Sequence, residues 1–494
     1  MYEFETLAAL DLGSNSFHLQ VGRVEGEQLF YLDAHKEAVR LTAGLDEAKR
    51  LDADSQQRAL DCLARFGERI KGMPPKSVRA VGTSALRVAK NSAEFLDRAR
   101  AALGFDIEVV AGREEARLIY LGVAHSLPLN RKPRLVVDIG GGSTECIIGV
   151  GYQARERESL RMGCVGFTKQ FFPDGQLSRK AMQAAETAAR IETQGVVEPF
   201  RSGHWQEAVG SSGTARALGE ICRAQGYSDG EISLEGLLWM HDRMIRAGHL
   251  DRLRLDGLKP DRQPVIPGGL AVMLALFREL EIERMTVAQG AMREGILWDL
   301  LGRVHDHDMR DVTVAQFQRR YRVDMAQAAR VDRMALALAE GTGVRMDEDQ
   351  GRCLSWAAKL HEIGVSIAHS GLHKHGAYIL ENADMPGFSR GDQGQIAALV
   401  RASRGGLAKL LLTPDDPIWI QVLCLRMAVL LNASRGNGLP ESVRLTCRKG
   451  TCTLHVPTEW LRANPLTRAA LEEELNEWRQ VAPGTACLKA LRGH

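Results

Sequence analysis

The sequence predicts an α/β protein of two similar domains in tandem with a cleft between them, followed by a mostly helical region and a small α+β end. Three observations predict it. Short apolar runs of strand length alternate with amphipathic helical stretches through residues 1–302. The order of those elements begins again after a linker broken by two prolines. The loops that follow corresponding strands repeat as well.

In order, strands are predicted at Leu7–Asp11, Phe17–Val24 and Gln28–Leu32. A helix follows over Ser55–Ile70, capped by Asp54 or Ser55, with Leu60, Leu63, Phe66 and Ile70 on one face. Next come a strand at Val78–Gly82, a helix at Ser92–Leu103 behind Asn91, a strand at Ile107–Val110 and a helix over Glu114–Ala124. The Leu127–Pro133 stretch reads as a linker, because proline interrupts both element types. The second round has strands at Arg134–Asp138, Cys146–Val150 and Arg155–Arg161, then a helix from Ser178 to Val197. It continues with a strand at Glu207–Gly210, helices at Thr214–Gln225 and Gly268–Leu280, a strand at Met285–Val287 and a helix from Ala291.

The loops carry the repeat. ALDLGSNS at 9–16 answers VVDIGGGS at 136–143, and RAVGTS at 79–84 answers EAVGSS at 207–212. VVAGREE at 109–115 loosely answers TVAQGAMRE at 286–294. Three such pairs in the same order point to a duplicated domain. Helical periodicity then dominates from Val312 to Leu431, Ser442–His455 alternates like strands, and Glu459–Leu491 reads as helical. The expected domains are 1–127, 128–302, 303–440 and 441–494.

Composition excludes several classes. With 64 Lys+Arg against 62 Asp+Glu the chain has no uniformly basic coat, so a histone-like grip on nucleic acid is not supported. No run of 18 apolar residues is present, so no transmembrane segment is expected. The nine cysteines form no CxxC pair and read as reduced core thiols of a cytoplasmic protein.

The chemistry sits in the repeated turns. Each half has a strand ending in Asp, followed at once by small residues: Gly13, Ser14, Asn15 and Ser16 in one, Gly140, Gly141, Gly142 and Ser143 in the other. Glycine lets backbone approach a ligand closely, successive N–H groups make an anion-binding concavity, and Asp11 or Asp138 can hold a cation beside the anion. A third loop, Ser211, Ser212, Gly213 and Thr214, precedes a helix and offers its N-terminus to phosphate.

DLGSNS, GREEARL, DIGGGSTE and VGSSGTAR, with RMGCVGF at 161–167, GAMREG at 290–295 and LHEIG at 360–364, resemble the exopolyphosphatase and guanosine pentaphosphate phosphohydrolase (Ppx/GppA) family. That resemblance implies an actin/Hsp70/sugar-kinase-like (ribonuclease H-like) pair of domains and Mg2+-dependent hydrolysis of a terminal phosphoryl group, with K+ as a stimulating ion. By position in the motifs it implies Glu115 as catalytic base, and Asp138 and Glu145 with the Gly140 backbone as metal-associated catalytic positions. It further implies Asp11 as the first-loop metal residue and Arg87 as a phosphate-contacting arginine. A homodimer and peripheral association with the inner face of the cell membrane are also family expectations.

The back region resembles the helical core of HD-type phosphohydrolases, with His361-Glu362 where those have His-Asp. Three readings stay open for it: a second metal site, a degenerate scaffold that binds chain phosphates, and histidines with no ligand role. His373, Lys374, His375, Arg401, Arg404 and Lys409 are candidates for a cationic path along a polyanion.

The leading expectation is an exopolyphosphatase acting on inorganic polyphosphate, supported by similarity in DIGGGSTE and HSGLHKHGAYIL (369–380). The alternative is a pppGpp 5′-phosphohydrolase producing ppGpp, supported by AGHLDRLRLDGL (247–258). In that type, by resemblance, the third glycine position tends to be Ala. A nucleotide-driven kinase or chaperone-like module is a remote third.

Overall fold

The structure is a computed structural model and describes residues 4–25, 28–129, 131–304, 308–407, 418–436, 442–448, 451–481 and 486–491. The chain divides into two compact units, Met1–Met309 and Arg310–His494.

The first unit holds two sheets. One contains β1 (Thr6–Leu12), β2 (Ser16–Glu25), β3 (Gln28–Ala38), β4 (Val78–Gly82) and β5 (Ile107–Val109), in the order β3-β2-β1-β4-β5. The other contains β6 (Arg134–Ile139), β7 (Thr144–Val150), β8 (Gln153–Leu160), β9 (Glu207–Ser211), β10 (Ile232–Ser233) and β11 (Arg284–Val287), in the order β10-β11-β9-β6-β7-β8. Reversed, the second order matches the first strand for strand, with β10 added at the far edge. In both halves the opening strand pairs antiparallel with the next and parallel with the fourth. The duplication read from the loops is therefore a duplication of topology. β3 runs six residues beyond the predicted Leu32, because it pairs with β2 along its full length although its own side chains are mostly exposed.

Helix ends follow local chemistry. The first long helix, Ala53–Ile70, is capped by Asp52, which accepts from the Ser55 N–H at 2.7 Å, two residues before the predicted cap. Ser178, the predicted first residue of the next long helix, is its cap, and that helix, Arg179–Gln194, ends three residues before the predicted Val197. Asn91, the expected cap of Ser92–Leu103, instead exchanges hydrogen bonds with the Leu51 backbone. Helices at Cys164–Phe171 and Leu234–Ala247 were not anticipated.

The Gly112–Ser126 helix packs on the Met292–Val304 helix through glycines. A Cβ on Gly122 would lie 2.0 Å from the Ala291 carbonyl oxygen, and one on Gly295 would lie 1.8 Å from that of Leu118. Backbone cannot yield as a side chain does, so Gly295→Ala is expected to cost ~3 kcal/mol or more. A melting curve checks this; an unchanged Tm would contradict the close approach. The same helix pair is tied by buried ions. Arg117 donates to Glu114 and to Asp299, and Asp299 also accepts from Arg79 at 2.6 Å.

Among the described residues the second unit is mostly helical from Arg310 to Leu431. Its end carries β12 (Arg444–Arg448), β13 (Thr451–Pro457) and β14 (Ala486–Leu491), and β14 runs parallel to β13. The expectation of helix through Leu491 is corrected here: helices at Thr458–Ala463 and Pro465–Val481 give way to a strand. The cysteine reading is corrected as well. Cys447 and Cys452 lie directly opposite in the β12–β13 register, Cα atoms 4.0 Å apart, and form a disulfide. Six others are buried free thiols, and the Cys487 side chain lies outside the described residues. Among the described residues no helix is long and apolar enough to cross a membrane.

Candidate active site

The turns after β1 and β6 line a common cleft in the first unit. Strand register places the carboxylates. Asp11 on β1 sits beside His18 on β2, and the corresponding Asp138 on β6 sits beside Glu145 on β7. Glu115 lies in the first turn of the Gly112–Ser126 helix, where the helix dipole favours an anion. All five side chains line the cleft.

Three of these carboxyls are held toward their neutral form. Burial, then the charges of Glu115 and Asp138, pushes Asp11 from 3.8 to about 8. Burial raises Asp138 to about 6, against hydrogen bonds from Ser211 and Ser212. Glu145 is raised well above its ordinary value by burial and by Glu115 and Asp138, against the Arg87 charge and a hydrogen bond from Ser143; the Ser159 hydroxyl donates to its Oε1 at 2.8 Å. A site that collects mutually repelling carboxylates is a candidate cation site.

The other side of the cleft is cationic. Arg216, Arg262 and Arg293 line it. His18 Nδ1 accepts from Arg293 Nη1 at 3.1 Å, which leaves Nε2 to carry the ring proton. Burial, then Arg293, Lys36, Arg216 and Arg262, lowers His18 to about 3, so the imidazole is neutral at physiological pH. These residues escaped sequence reading. Arg216 and Arg293 lie inside the quoted VGSSGTAR and GAMREG motifs, but nothing local distinguishes them from surface arginines, and Arg262 follows a plain turn.

Of the residues expected to bind phosphate, Ser14, Asn15, Ser16, Gly140, Gly141, Ser143, Ser212 and Gly213 line the cleft, while Gly142, Ser211 and Thr214 do not. The Ser211 hydroxyl donates to Gly290 O at 3.2 Å, and those of Ser212 and Thr214 both donate to Ile139 O at 3.0 Å. Ser211 and Ser212 also lie beside the Asp138 carboxyl, and Ser212 and Gly213 of this loop line the cleft. Ser212 adopts the left-handed region, φ 74°, at the start of its helix. Arg87 donates from Nη1 to Glu115 Oε2 at 2.6 Å and to Val110 O at 3.0 Å.

In the second unit His361 is fully buried. Its Nδ1 donates to Ala358 O at 2.7 Å and its Nε2 has no partner among the described residues. Glu362 accepts from Arg435 at 2.6 Å. Among the described residues no group of three or more His, Cys, Asp or Glu stands close enough to hold a metal. His373 and Lys374 sit in the first turn of the Leu372–Asn382 helix with His375 just behind, and the charges of Lys374, Arg404, Arg426 and Arg401 hold His373 below its ordinary value after burial. Arg401 is paired with Glu381 at 3.2 Å. Lys409 lies outside the described residues.

The chain is similar to known proteins along most of its length. Residues 21–304 match the Ppx/GppA phosphatase family, and residues 309–475 match its domain III. A guanosine-5′-triphosphate,3′-diphosphate pyrophosphatase of Vibrio vulnificus is 40% identical over 476 residues, covering 95% of each chain. A protein of the same description from Vibrio parahaemolyticus is 40% identical over 475 residues, again covering 95% of each. Among solved structures, the Aquifex aeolicus PPX-GPPA enzyme aligns with a TM-score of 0.50 and 27% identity, over 59% of this chain and 98% of that one. An exopolyphosphatase from Cytophaga hutchinsonii aligns with a TM-score of 0.55 and 23% identity, over 61% of this chain and 98% of that one, and shares the fold.

Proposed function

The chain belongs to the Ppx/GppA phosphatase family, and on that premise we propose that it removes the 5′-terminal phosphate of guanosine 5′-triphosphate 3′-diphosphate (pppGpp), leaving ppGpp. The observation that carries this choice is the 40% identity, across 95% of both chains, with proteins described by that activity. It reverses the order in which sequence motifs alone placed polyphosphate and pppGpp.

The residues supply the parts of such a reaction. A water held by the Glu115 carboxylate attacks the terminal phosphorus, a bond forms between them, and the proton passes to Glu115. The anhydride P–O bond breaks with its electrons on the departing β-phosphate oxygen. Arg87 fixes the rotamer of Glu115. Backbone amides of the Gly140–Ser143 turn, with Arg216, Arg262 and Arg293, are placed to neutralise the phosphates.

Mg2+ suits this donor set. Asp11, Asp138 and Glu145 are buried carboxyls that oppose one another's ionisation, only partly offset by Arg293, Arg216 and Arg87. Among the described residues no three ligands converge as a dedicated cage, and Mg2+ usually takes one or two carboxylates, water and substrate oxygens. When bound there it would draw charge from the phosphoryl oxygens.

Polyphosphate stays as a second substrate because of the cations around His373 in the second unit. Turnover of pppGpp and of long polyphosphate on one preparation decides the order. We expect kcat/KM for pppGpp to exceed that for polyphosphate by at least about tenfold, and the opposite ratio would restore the exopolyphosphatase reading. Lys374→Glu combined with Arg404→Glu is expected to lower polyphosphate turnover about tenfold and pppGpp turnover by much less. Equal losses would remove the separate path.

A further inference from the structure

Arg293 stands where helix physics does not favour it. It lies in the first turn of the Met292–Val304 helix with Glu294 beside it, and the positive end of the helix dipole disfavours a cation there. Neighbouring residues on a helix also point about 100° apart and do not face each other. Even so, Arg293 Nε donates to Glu294 Oε1 at 2.7 Å. Both side chains fold back over the helix start to make that contact.

Glu294 does a second thing with its other oxygen. Oε2 accepts the Ala291 N–H at 2.8 Å, the reach-back of a third-position glutamate onto the N–H at the helix start. The backbone at that point is held from outside. Gly290 O accepts from the Ser211 hydroxyl at 3.2 Å, and a Cβ on Gly290 would lie 2.2 Å from Gly122 O. One buried carboxylate therefore ties the Arg293 guanidinium to a tightly packed stretch of backbone. The RE pair of the first half has a buried glutamate too. Glu114 accepts from Arg117 at 2.8 Å, but neither residue lines the cleft. In the second half the held arginine does line it, and Glu294 does not. Of the five guanidinium N–H groups of Arg293, Nε–H goes to Glu294 and one on Nη1 to His18 Nδ1 at 3.1 Å. The Nη2 edge has no partner among the described residues.

We propose that Glu294 is a positioning residue for turnover: its carboxylate, shared between the helix start and Arg293, holds the guanidinium in one orientation toward the reacting phosphoryl group. An arginine side chain carries about 2 kcal/mol of rotamer entropy, and fixing it beforehand leaves its N–H groups aimed where charge develops in the transition state. The charge of Glu294 alone acts the other way. It is felt across the cleft, where it opposes ionisation of Asp11, and it repels a polyanion. Orientation and charge therefore give effects of opposite sign when the carboxylate is removed. This proposal rests on the phosphoanhydride-hydrolase reading above and deepens it.

The test uses the full chain with pppGpp, at a temperature well below the Tm of every variant. Glu294→Gln keeps an oxygen for the Ala291 N–H and makes the cleft more positive. It is expected to lower kcat about tenfold while KM stays level or falls. Glu294→Asp keeps the charge but is one methylene too short to reach both partners, and kcat is expected to fall by a similar factor of about ten. Arg293→Ala should lose at least as much, and adding Glu294→Gln to it should change kcat by less than about twofold, because the two act as one unit. Wild-type kcat in both Glu294 variants, or in Arg293→Ala, overturns the proposal, and a fall in Tm alone then marks Glu294 as a helix cap. An equal loss with and without Arg293 overturns it as well. Glu294→Asp carries the same cycle if Glu294→Gln does not fold. Each of these failures leaves wild-type turnover intact, whereas wild-type protein that hydrolyses neither pppGpp nor polyphosphate refutes the underlying reading instead.

Discussion

Glu115→Gln lowers kcat for pppGpp by about a hundredfold or more while KM and Tm stay close to wild type. The size follows from removing a positioned proton acceptor. Preserved folding follows from Arg87, whose Nη1 donates to Glu115 Oε2 at 2.6 Å. A glutamine amide oxygen can accept the same hydrogen bond, so the arginine is not orphaned. Single-turnover kinetics separate the step affected, and near-wild-type kcat would remove Glu115 from its role. Arg87→Ala should act through the same carboxylate. Without its fork, Glu115 loses one orientation, so kcat falls more than KM rises. A loss in KM alone would return Arg87 to direct phosphate contact.

Asp11→Asn has the second large effect, and its two readouts move in opposite directions. Turnover falls by about a hundredfold, because a cation ligand is lost. Stability without added metal rises, because the folded chain no longer has to hold a proton on a buried carboxyl beside Glu115 and Asp138. The sign follows from linkage. Asp11 is raised from 3.8 to about 8 and Asp138 to about 6, so the folded chain keeps protons that the unfolded chain has released. Metal-free wild type therefore loses stability as pH rises from about 4 to about 8, and Asn at position 11 flattens that slope. A thermal series over this range reads it directly, at roughly 2–4 °C per kcal/mol for a unit this size. Mg2+ is expected to raise Tm of wild type more at pH 8 than at pH 6, and to lose most of that gain in the variant. A pH-independent Tm in the metal-free protein would refute the mutually opposing carboxyls.

The two lines of reasoning meet differently in different places. Every strand predicted in the first 300 residues is present, and β6, buried along its whole length, reads as a nearly continuous apolar run. The unanticipated Cys164–Phe171 helix is short, holds Gly166 and opens behind Gly163, so no local propensity marks it. It forms where Cys164 N–H can donate to Gly140 O and Val165 N–H to Gly141 O. The final strand β14 was hidden for a related reason: its pairing partner β13 lies some 30 residues earlier, and only the sheet makes it a strand.

By itself the sequence determined the duplicated α/β architecture and the turns at Asp11 and Asp138, because apolar periodicity and small-residue turns act over a few residues. It also carried the family motifs that single out Glu115 and Glu145. Only the tertiary structure decided which charges meet. The Arg87–Glu115 pair joins residues 28 apart, and the Arg293–His18 contact joins residues 275 apart. Such partners are chosen by packing of the two halves against each other, where burial strengthens each charge contact.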